Sequence, residues 1–435
     1  MPIDAPTTPE TYSQTAPASA DDFPPLTPHN PCELEIDLFC KGMRIDESCL
    51  LEKDGRRILR TRAGLGSGLE IIIPGSLKDI WVNVPVREPF AARSCYRLAH
   101  ADGQYEVIDD RQGFRYAIRL PAEPSWYGQL TSRGLPMHQI GVLQGTYLAI
   151  YISNLCGFWY HSPRMNCSFC TTGLNLGVNE SALKNVQDVV EVAQAAKRES
   201  GVTFVHFNSG NQTNRDLDRA AHYVNAVKSR VGALVGLQLM PTRDLWKYDR
   251  LIELGTDHFS FCVEFHNPEY FEKFCPGKAR FVGQETFYRA LEYTSRQLGK
   301  GTCSGEVIAG LEPVEDTLKA IDYITSVGAF PTVCIFRPTI GADLEDSPPP
   351  RYEEMRLVFQ HVYQACEKNR IPIDVAPNIE VSLVVQPGDT RYLAPRNLES
   401  RWYDFRQALL RLVARPYFWW NRRRRKAQGS AELSY

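Results

Sequence analysis

Three observations predict an α/β chain built on a parallel sheet. From Gly141 onward, β-branched apolar runs alternate with amphipathic helical stretches, strand then helix, through six repeats. Before that point, from about 32 to 140, short apolar and aromatic runs are divided by Gly and Pro without a helical rhythm. Three cysteines, Cys156, Cys167 and Cys170, crowd into one loop directly behind the first strand of the alternating series.

The elements follow in chain order. Residues 1–31 are rich in Pro, Thr, Ser and Ala and poor in large apolar side chains, which predicts a disordered tail. Runs at 69–73, 80–84, 105–108 and 114–118 predict the strands of a β-rich accessory domain over 32–140. The strands of the repeating region, 141–375, are expected at 146–152, 202–207, 235–240, 258–265, 302–308 and 331–336. Between them, Val186, Val189, Val190, Ala193 and Ala196 share one helical face, as do Leu245, Tyr248, Leu251 and Ile252. Val314, Leu318, Ile321 and Ile324 make a third stripe, and Gly255 and Gly328 stand where two of these helices should stop. Such a series makes a parallel sheet, either curled into a partial or full barrel or doubly wound. Function then gathers at the carboxyl ends of the strands. Residues 376–415 read as a C-terminal extension packing on the barrel, and 416–435 as an aromatic and polybasic tail.

Bulk properties narrow the classes. The chain has 435 residues, 43% of them hydrophobic, and a net charge of −2, so there is no global electrostatic case for nucleic acid binding. The N-terminus lacks the basic and apolar regions of a signal peptide, and no apolar run approaches the ~20 residues of a membrane span. A cytoplasmic setting is the expectation, and there clustered cysteines point to metal or catalysis more than to disulfides. In the tail, four aromatics beside Arg422 to Lys426 read as a packed helix end with a solvated basic run. The alternative is peripheral membrane contact through 416–426, or a polyanion such as RNA.

The cysteine loop reads Cys-x10-Cys-x2-Cys. Thiolates are soft ligands suited to iron–sulfur clusters and zinc. Three of them leave one iron of a four-iron cluster open, and an open iron is a place for chemistry. The zinc reading needs His161 as a fourth ligand folding back from mid-loop, because structural zinc is closed by four ligands. Unrelated core cysteines are the third reading, against a loop of Gly, His, Ser, Pro, Arg and Asn.

The ending Cys167-Ser-Phe-Cys170 resembles the second half of the radical S-adenosylmethionine (SAM) motif, Cys-x3-Cys-x-aromatic-Cys, and stands after the first barrel strand as in that family. The first spacing, ten residues instead of three, departs from it, but loop closure costs grow slowly with length. Further residues resemble the family in order along the chain. Asn208, Ser209, Gly210 and Asn211 stand at the turn after the second strand, where most members bind the methionyl amine with a Gly-Gly-Glu-like sequence; here the acid is missing. Glu264 ends the fourth strand, where polar groups meet SAM. Lys278 follows in Phe274-Cys-Pro-Gly-Lys, which with Trp126 to Pro136 resembles a biotin-synthase-like subset. Gly305 and Gly310 belong to a stretch resembling the family's adenine-packing segment, and Arg337 to its turn after the sixth strand. Phe169 is placed to shield the cluster or stack near adenine. For each there is a plain alternative: a turn, an ion pair, loop packing or a surface contact.

The resemblance implies a partial (β/α)6 TIM-like barrel. It also implies a [4Fe–4S] cluster on Cys156, Cys167 and Cys170, and SAM cleaved to a 5′-deoxyadenosyl radical that abstracts hydrogen from a small-molecule intermediate. An electron donor such as flavodoxin or ferredoxin would reduce the cluster. Radical methyl transfer is the alternative reaction, and a zinc- or cluster-binding scaffold or sensor the non-enzymatic one. Cys262, Cys303 and Cys334 lie on predicted strands and could face the interior, as ligands of a second cluster or as small core residues. Cys32, Cys40 and Cys49 show no paired-ligand spacing.

Overall fold

The computed structural model describes residues 27–49, 51, 68–212, 215–376, 378–395 and 397–428, and side chains of the last helix as far as Pro416 with the exception of position 415. Most of the expected tail, 1–26, and the aromatic and basic side chains from 417 onward lie outside the described residues.

The described chain opens with a helix, Pro31–Lys41, within a region read as β-rich. Its start is local chemistry: Asn30 and Glu33 form a reciprocal capping box and Pro31 occupies the first turn. The helix shows little amphipathic pattern because Leu34 to Cys40 are all buried, so no solvent face marks its period. The strands of this region are β1 (Arg44–Ile45), β2 (Gly68–Ile73), β3 (Ile80–Pro85), β4 (Tyr96–Ala101), β5 (Gln104–Asp109) and β6 (Phe114–Ile118). β2 and β3 form an antiparallel pair; the others make a sheet in the order β1-β4-β5-β6.

The larger sheet comprises β7 (Val142–Gln144), β8 (Tyr147–Tyr151), β9 (Phe204–Asn208), β10 (Leu234–Gln238), β11 (His258–Glu264), β12 (Cys303–Ala309) and β13 (Phe330–Ile335). Its order is sequential, β13-β12-β11-β10-β9-β8-β7, with β8 to β13 parallel and β7 antiparallel at one edge. A sequential order decides between the sheet types. Right-handed crossovers that never reverse direction put every helix on one face, and the bare face curls inward. The result is an open half-barrel with a flanking β-rich N-terminal region.

Each strand has two faces. Leu148, Ile150, Val205, Phe207, Val235, Leu237, Phe259, Phe261, Val263, Val307 and Val333 point outward into the helix layer and are almost wholly buried. The helix Val186–Glu199 packs there through Val189, Val190, Ala193 and Ala196, started by an Asn185–Asp188 capping box. Gly255 and Gly328, with φ of 109° and 87°, follow the helices Trp246–Glu253 and Val314–Ser326 as expected. One continuous apolar core runs from Cys32 to Tyr403, joining the β-rich region to the barrel.

The inward face is of a different composition. One hydrogen-bonded row across the sheet reads Tyr151, Asn208, Gln238, Ser260, Ser304, Phe330. Residues 372–376 and 378–387 lie across the amino-terminal mouth of this interior. Thr146 donates its N–H to the Glu380 carbonyl, Thr203 Oγ1 bonds the Asn378 carbonyl, and Val385 pairs with Val333 of the edge strand. Between this plug and the strands lies a cavity of about 460 Å³, lined by His206, Gln238, His258, Ser260, Glu306 and Cys334 among others.

Candidate metal and cofactor site

The cysteine loop leaves β8 at its carboxyl end. Its ten-residue spacing is folded back on itself: Met165 N–H donates to the Phe158 carbonyl at 3.0 Å, so the excursion closes before Cys167. Phe158 is buried and anchors it. Three later segments grip the loop. Gly157 N–H donates to Asn211 O at 2.8 Å; Ser168 N–H to Phe274 O at 2.9 Å; and Gly277 N–H to Met165 O at 3.1 Å. His161 lies exposed and stacks on Phe281 with ring centroids 4.9 Å apart, not on the thiols.

The turn after β9 approaches the loop closely. Asn211 N–H donates to Cys156 Sγ at 3.4 Å, and Gly210 N–H to the Tyr151 hydroxyl at 3.0 Å. A Cβ on Gly210 would stand 2.5 Å from Cys156 Cβ, so only glycine fits. Asn208 Oδ1 is buried without a hydrogen-bond partner on the interior face. Ser209 instead lies by the Asp216 carboxyl, which burial raises to about 6 and Gln212 N–H and Ser209 lower in part.

Glu264 is the last residue of β11 and sits beyond a β-bulge with φ of 64°, a left-handed conformation rare for a non-glycine residue. The bulge turns its carboxylate onto Lys278 Nζ at 2.5 Å, and both side chains are buried. Burial works against the Lys278 charge, but Glu264 and then Cys167, Cys262 and Cys275 outweigh it, holding the ammonium well above the usual lysine range. The thiols interact with one another too. Burial raises Cys156, and burial followed by Cys167 raises Cys170 to about 12. A hydrogen bond from Cys275 lowers Cys167, making it the readiest of the three to ionise. Cys275 was not singled out from sequence. It is fully buried beside the motif, and its only sequence signal is its place in Phe274-Cys-Pro-Gly-Lys.

The other expected residues are placed elsewhere or otherwise. Phe169 is half-buried and packs edge-on against Phe265, the residue after Glu264. Gly305 faces outward: a Cβ there would meet Ile324 and Leu291, so it admits the helices, not a ligand. Gly310, with φ of 98°, ends β12 against Pro350. The Arg337 side chain, 8% exposed, donates to the Asn83 carbonyl at 2.6 Å and lies 3.9 Å from Glu88, so it ties the barrel edge to β3. Cys262 and Cys334 face the interior, but Cys303 points outward to Thr294 and Ser295. The interior trio expected of a second cluster is therefore not assembled. Cys32 and Cys40 are buried in the first helix, and Cys49 Sγ donates to the Leu98 carbonyl.

Sequence reading also passed over the polar wall below the loop. Ser260 Oγ donates to Glu306 Oε1 at 2.6 Å, Cys262 Sγ to Glu306 Oε2 at 3.3 Å, and Gln238 Nε2 bonds both Cys262 and Glu306. Ser304 Oγ continues the chain to Ser260 at 2.9 Å. Burial raises Glu306 and lowers His206 and His258, to about 3 and about 4. The signal was present, since these polar residues recur at every second position of strands otherwise apolar.

Among the described residues, no group of three or more His, Cys, Asp or Glu side chains is already arranged around a metal position. The donor set nevertheless fits a thiophilic centre. Three thiols within mutual electrostatic reach, a glycine-gated turn against Cys156, an unpartnered Asn208 oxygen and a buried Glu264–Lys278 pair meet at one end of the strands.

No family model matches the chain. Over 113 residues it is 29% identical to bacteriochlorophyllide c C-7(1)-hydroxylase of Chlorobaculum limnaeum, a match spanning 26% of this chain and 28% of that protein. The chain thus covers little more than a quarter of the length of this relative. Solved structures that resemble it include a maturase of the [FeFe]-hydrogenase, at 14% identity and a TM-score of 0.40 over 50% of this chain and 49% of that one. Methylornithine synthase is similar at 16% identity and a TM-score of 0.37, over 50% and 62%. Coproporphyrinogen III oxidase from Escherichia coli, described as a radical SAM enzyme, is similar at 16% identity and a TM-score of 0.36, over 51% and 52%.

Proposed function

We propose that this chain is a radical SAM enzyme whose Cys156, Cys167 and Cys170 hold a [4Fe–4S] cluster with one iron left to SAM, and which acts on a small molecule in the barrel interior. The observation that carries the reading is the meeting, at the carboxyl end of the parallel strands, of the three thiols with the Gly210 turn and the Glu264–Lys278 pair. When bound, cluster and SAM supply reductive cleavage of the sulfonium to a 5′-deoxyadenosyl radical able to take hydrogen from an unactivated carbon.

The chain's own part is binding and exclusion. Lys278, held charged by Glu264 and flanked by sulfur, offers a fixed positive charge for a carboxylate or for the thiolates. The buried Asn208 oxygen is an acceptor for an amine. Gln238, Ser260 and Glu306 form a linked polar wall that orients a substrate below the loop. Residues 372–376 and 378–387 line the cavity at the other mouth and narrow it on that side. The local match to a bacteriochlorophyllide hydroxylase supports an activity on an organic small molecule.

Anaerobic reconstitution of the full chain with iron and sulfide tests the reading. About four irons per chain with visible charge-transfer absorbance, and 5′-deoxyadenosine from SAM and a reductant, are expected. S-adenosylhomocysteine as the main product would favour methyl transfer. Iron uptake unchanged after Ser replacement of Cys156, Cys167 and Cys170 together would refute the assignment.

A further inference from the structure

Over its described side chains, the C-terminal helix, Leu398–Gln428, has two apolar faces, and among the described residues one of them is packed while the other is exposed. On the packed side Tyr403, Gln407 and Ala414 are buried. The Tyr403 hydroxyl donates to the Ile371 carbonyl at 2.6 Å, and Gln407 Nε2 donates to the same oxygen at 3.0 Å. On the opposite side Leu398, Trp402, Phe405, Leu409, Leu412 and Val413 are 52–82% exposed. Their spacing of four, three, four and three residues, with Val413 alongside, puts them in one stripe about 22 Å long at 1.5 Å per residue. Exposed leucines scattered singly are ordinary; a continuous stripe containing a Trp and a Phe is an interaction surface.

Charge says what kind. The same helix holds nine basic residues, Arg401, Arg406, Arg411, Arg415 and Arg422 to Lys426, against Glu399 and Asp404, in a chain whose net charge is −2. A second copy of this chain would bring an equally positive helix to the stripe and be repelled. An anionic lipid surface supplies both an apolar layer for the stripe and counter-charge for the basic residues. Among the described residues no helix is long and apolar enough to cross a membrane, so the helix is suited to lie in the interface.

We propose that residues 398–426 form an amphipathic helix that docks this protein on a membrane surface bearing anionic headgroups. Leu410 and Ala414, on the packed side, line the barrel cavity, so docking brings the floor of that cavity to within one helix diameter, about 10 Å, of the lipid. The proposal stands on the helix alone and does not depend on the cluster chemistry.

Co-sedimentation of the full-length protein with vesicles tests it. One set is phosphatidylcholine alone, the other contains about 30 mol% phosphatidylglycerol, each at low and high salt. Binding to the anionic vesicles that weakens with salt is expected. The triple variant Trp402→Glu, Phe405→Glu, Leu409→Glu should lower the partition coefficient roughly tenfold or more, with an unchanged circular dichroism spectrum because all three are exposed. A variant with Arg422 to Lys426 replaced by Gln should lose the preference for phosphatidylglycerol while keeping the apolar stripe. Three outcomes would overturn the proposal: no binding to either vesicle; undiminished binding by the triple variant; or a stable dimer in light scattering that this variant dissolves. Salt-sensitive binding to RNA without vesicle binding would overturn it equally.

Discussion

Each end of the half-barrel holds a lysine against acidic partners, half-buried Lys78 at one end and buried Lys278 at the other, and the two differ in how many carboxylates surround them. At the amino-terminal mouth, Lys78 Nζ donates to Glu380 at 2.9 Å and stands 3.0 Å from Asp389 and 3.3 Å from Asp374, three carboxylates within ion-pair reach. At the cysteine end, Lys278 meets one carboxylate, Glu264, makes a long contact to the Cys262 carbonyl at 3.4 Å and lies 5.2 Å from the centre of the Phe287 ring, with the thiols of Cys167, Cys262 and Cys275 around it. A lysine with three carboxylates is a staple: it pins the plug that narrows the cavity. A lysine with one carboxylate and several ionisable sulfurs has a site that a ligand, or the ionisation of those sulfurs, would complete. The comparison separates the amino-terminal mouth of the barrel from the rim proposed to hold the cluster.

The largest effect that tests this contrast is the loss of Lys78. Lys78→Met leaves Asp374, Glu380 and Asp389 together without their counter-charge, with Glu35 buried beside them and neither of its oxygens hydrogen-bonded. A loss of about 3–5 kcal/mol in urea unfolding is expected; a loss below about 1 kcal/mol would break the staple description. Lys278→Met should cost less, about 2–3 kcal/mol, because it leaves one carboxylate, Glu264, without its counter-charge where Lys78→Met leaves three. Its signature is reduced iron uptake on reconstitution, which Lys78→Met at a permissive temperature should not share.

Between the ends, the cavity wall has its own signature. Burial, followed by repulsion from His258, depresses His206 to about 3 from the usual 6.5. The native state therefore prefers the neutral ring. Its contribution is whole above pH 6.5 and is lost as pH falls toward 3, with the unfolded chain binding the extra proton. His206→Gln should flatten stability between pH 6.5 and 4.5 by about 1–3 kcal/mol, read from urea midpoints along the series. The smallest change is Gly210→Ala, expected to cost about 1–2 kcal/mol by overpacking against Cys156 Cβ and the Tyr151 hydroxyl. It should loosen Cys156 toward thiol reagents while leaving the Lys78 end as it was.

Reading the sequence succeeded where the signal was local and periodic. The strands behind 146–152 and 258–265, the valine and alanine stripe of Val186–Glu199 and the stops at Gly255 and Gly328 follow from neighbours along the chain. It failed where side-chain direction mattered. Gly305 and Cys303 are odd-numbered positions of β12 and point at helices, while Ser304 and Glu306 point at the cavity. A one-residue difference reverses the face; the alternation of Ser304 and Glu306 with Cys303 and Gly305 carried that information, but motif position rather than strand parity decided the expectation. The helix Pro31–Lys41 was missed for a different reason, since a segment buried all round has no polar side to reveal its period.

By itself the sequence determined the α/β class, the succession of the six parallel strands of the barrel, and a trio of thiols behind the first of them, because each depends on residue type and short spacing. Only the tertiary structure decided that Cys275 joins Cys167, that Glu264 pairs with Lys278 across a bulge, that Arg337 belongs to the β3 junction, and that Lys78 gathers three acids from some 300 residues further along. The reason is physical. Charge pairing and sulfur contacts act over a few ångströms whatever the separation along the chain, and that proximity exists only once the sheet has curled.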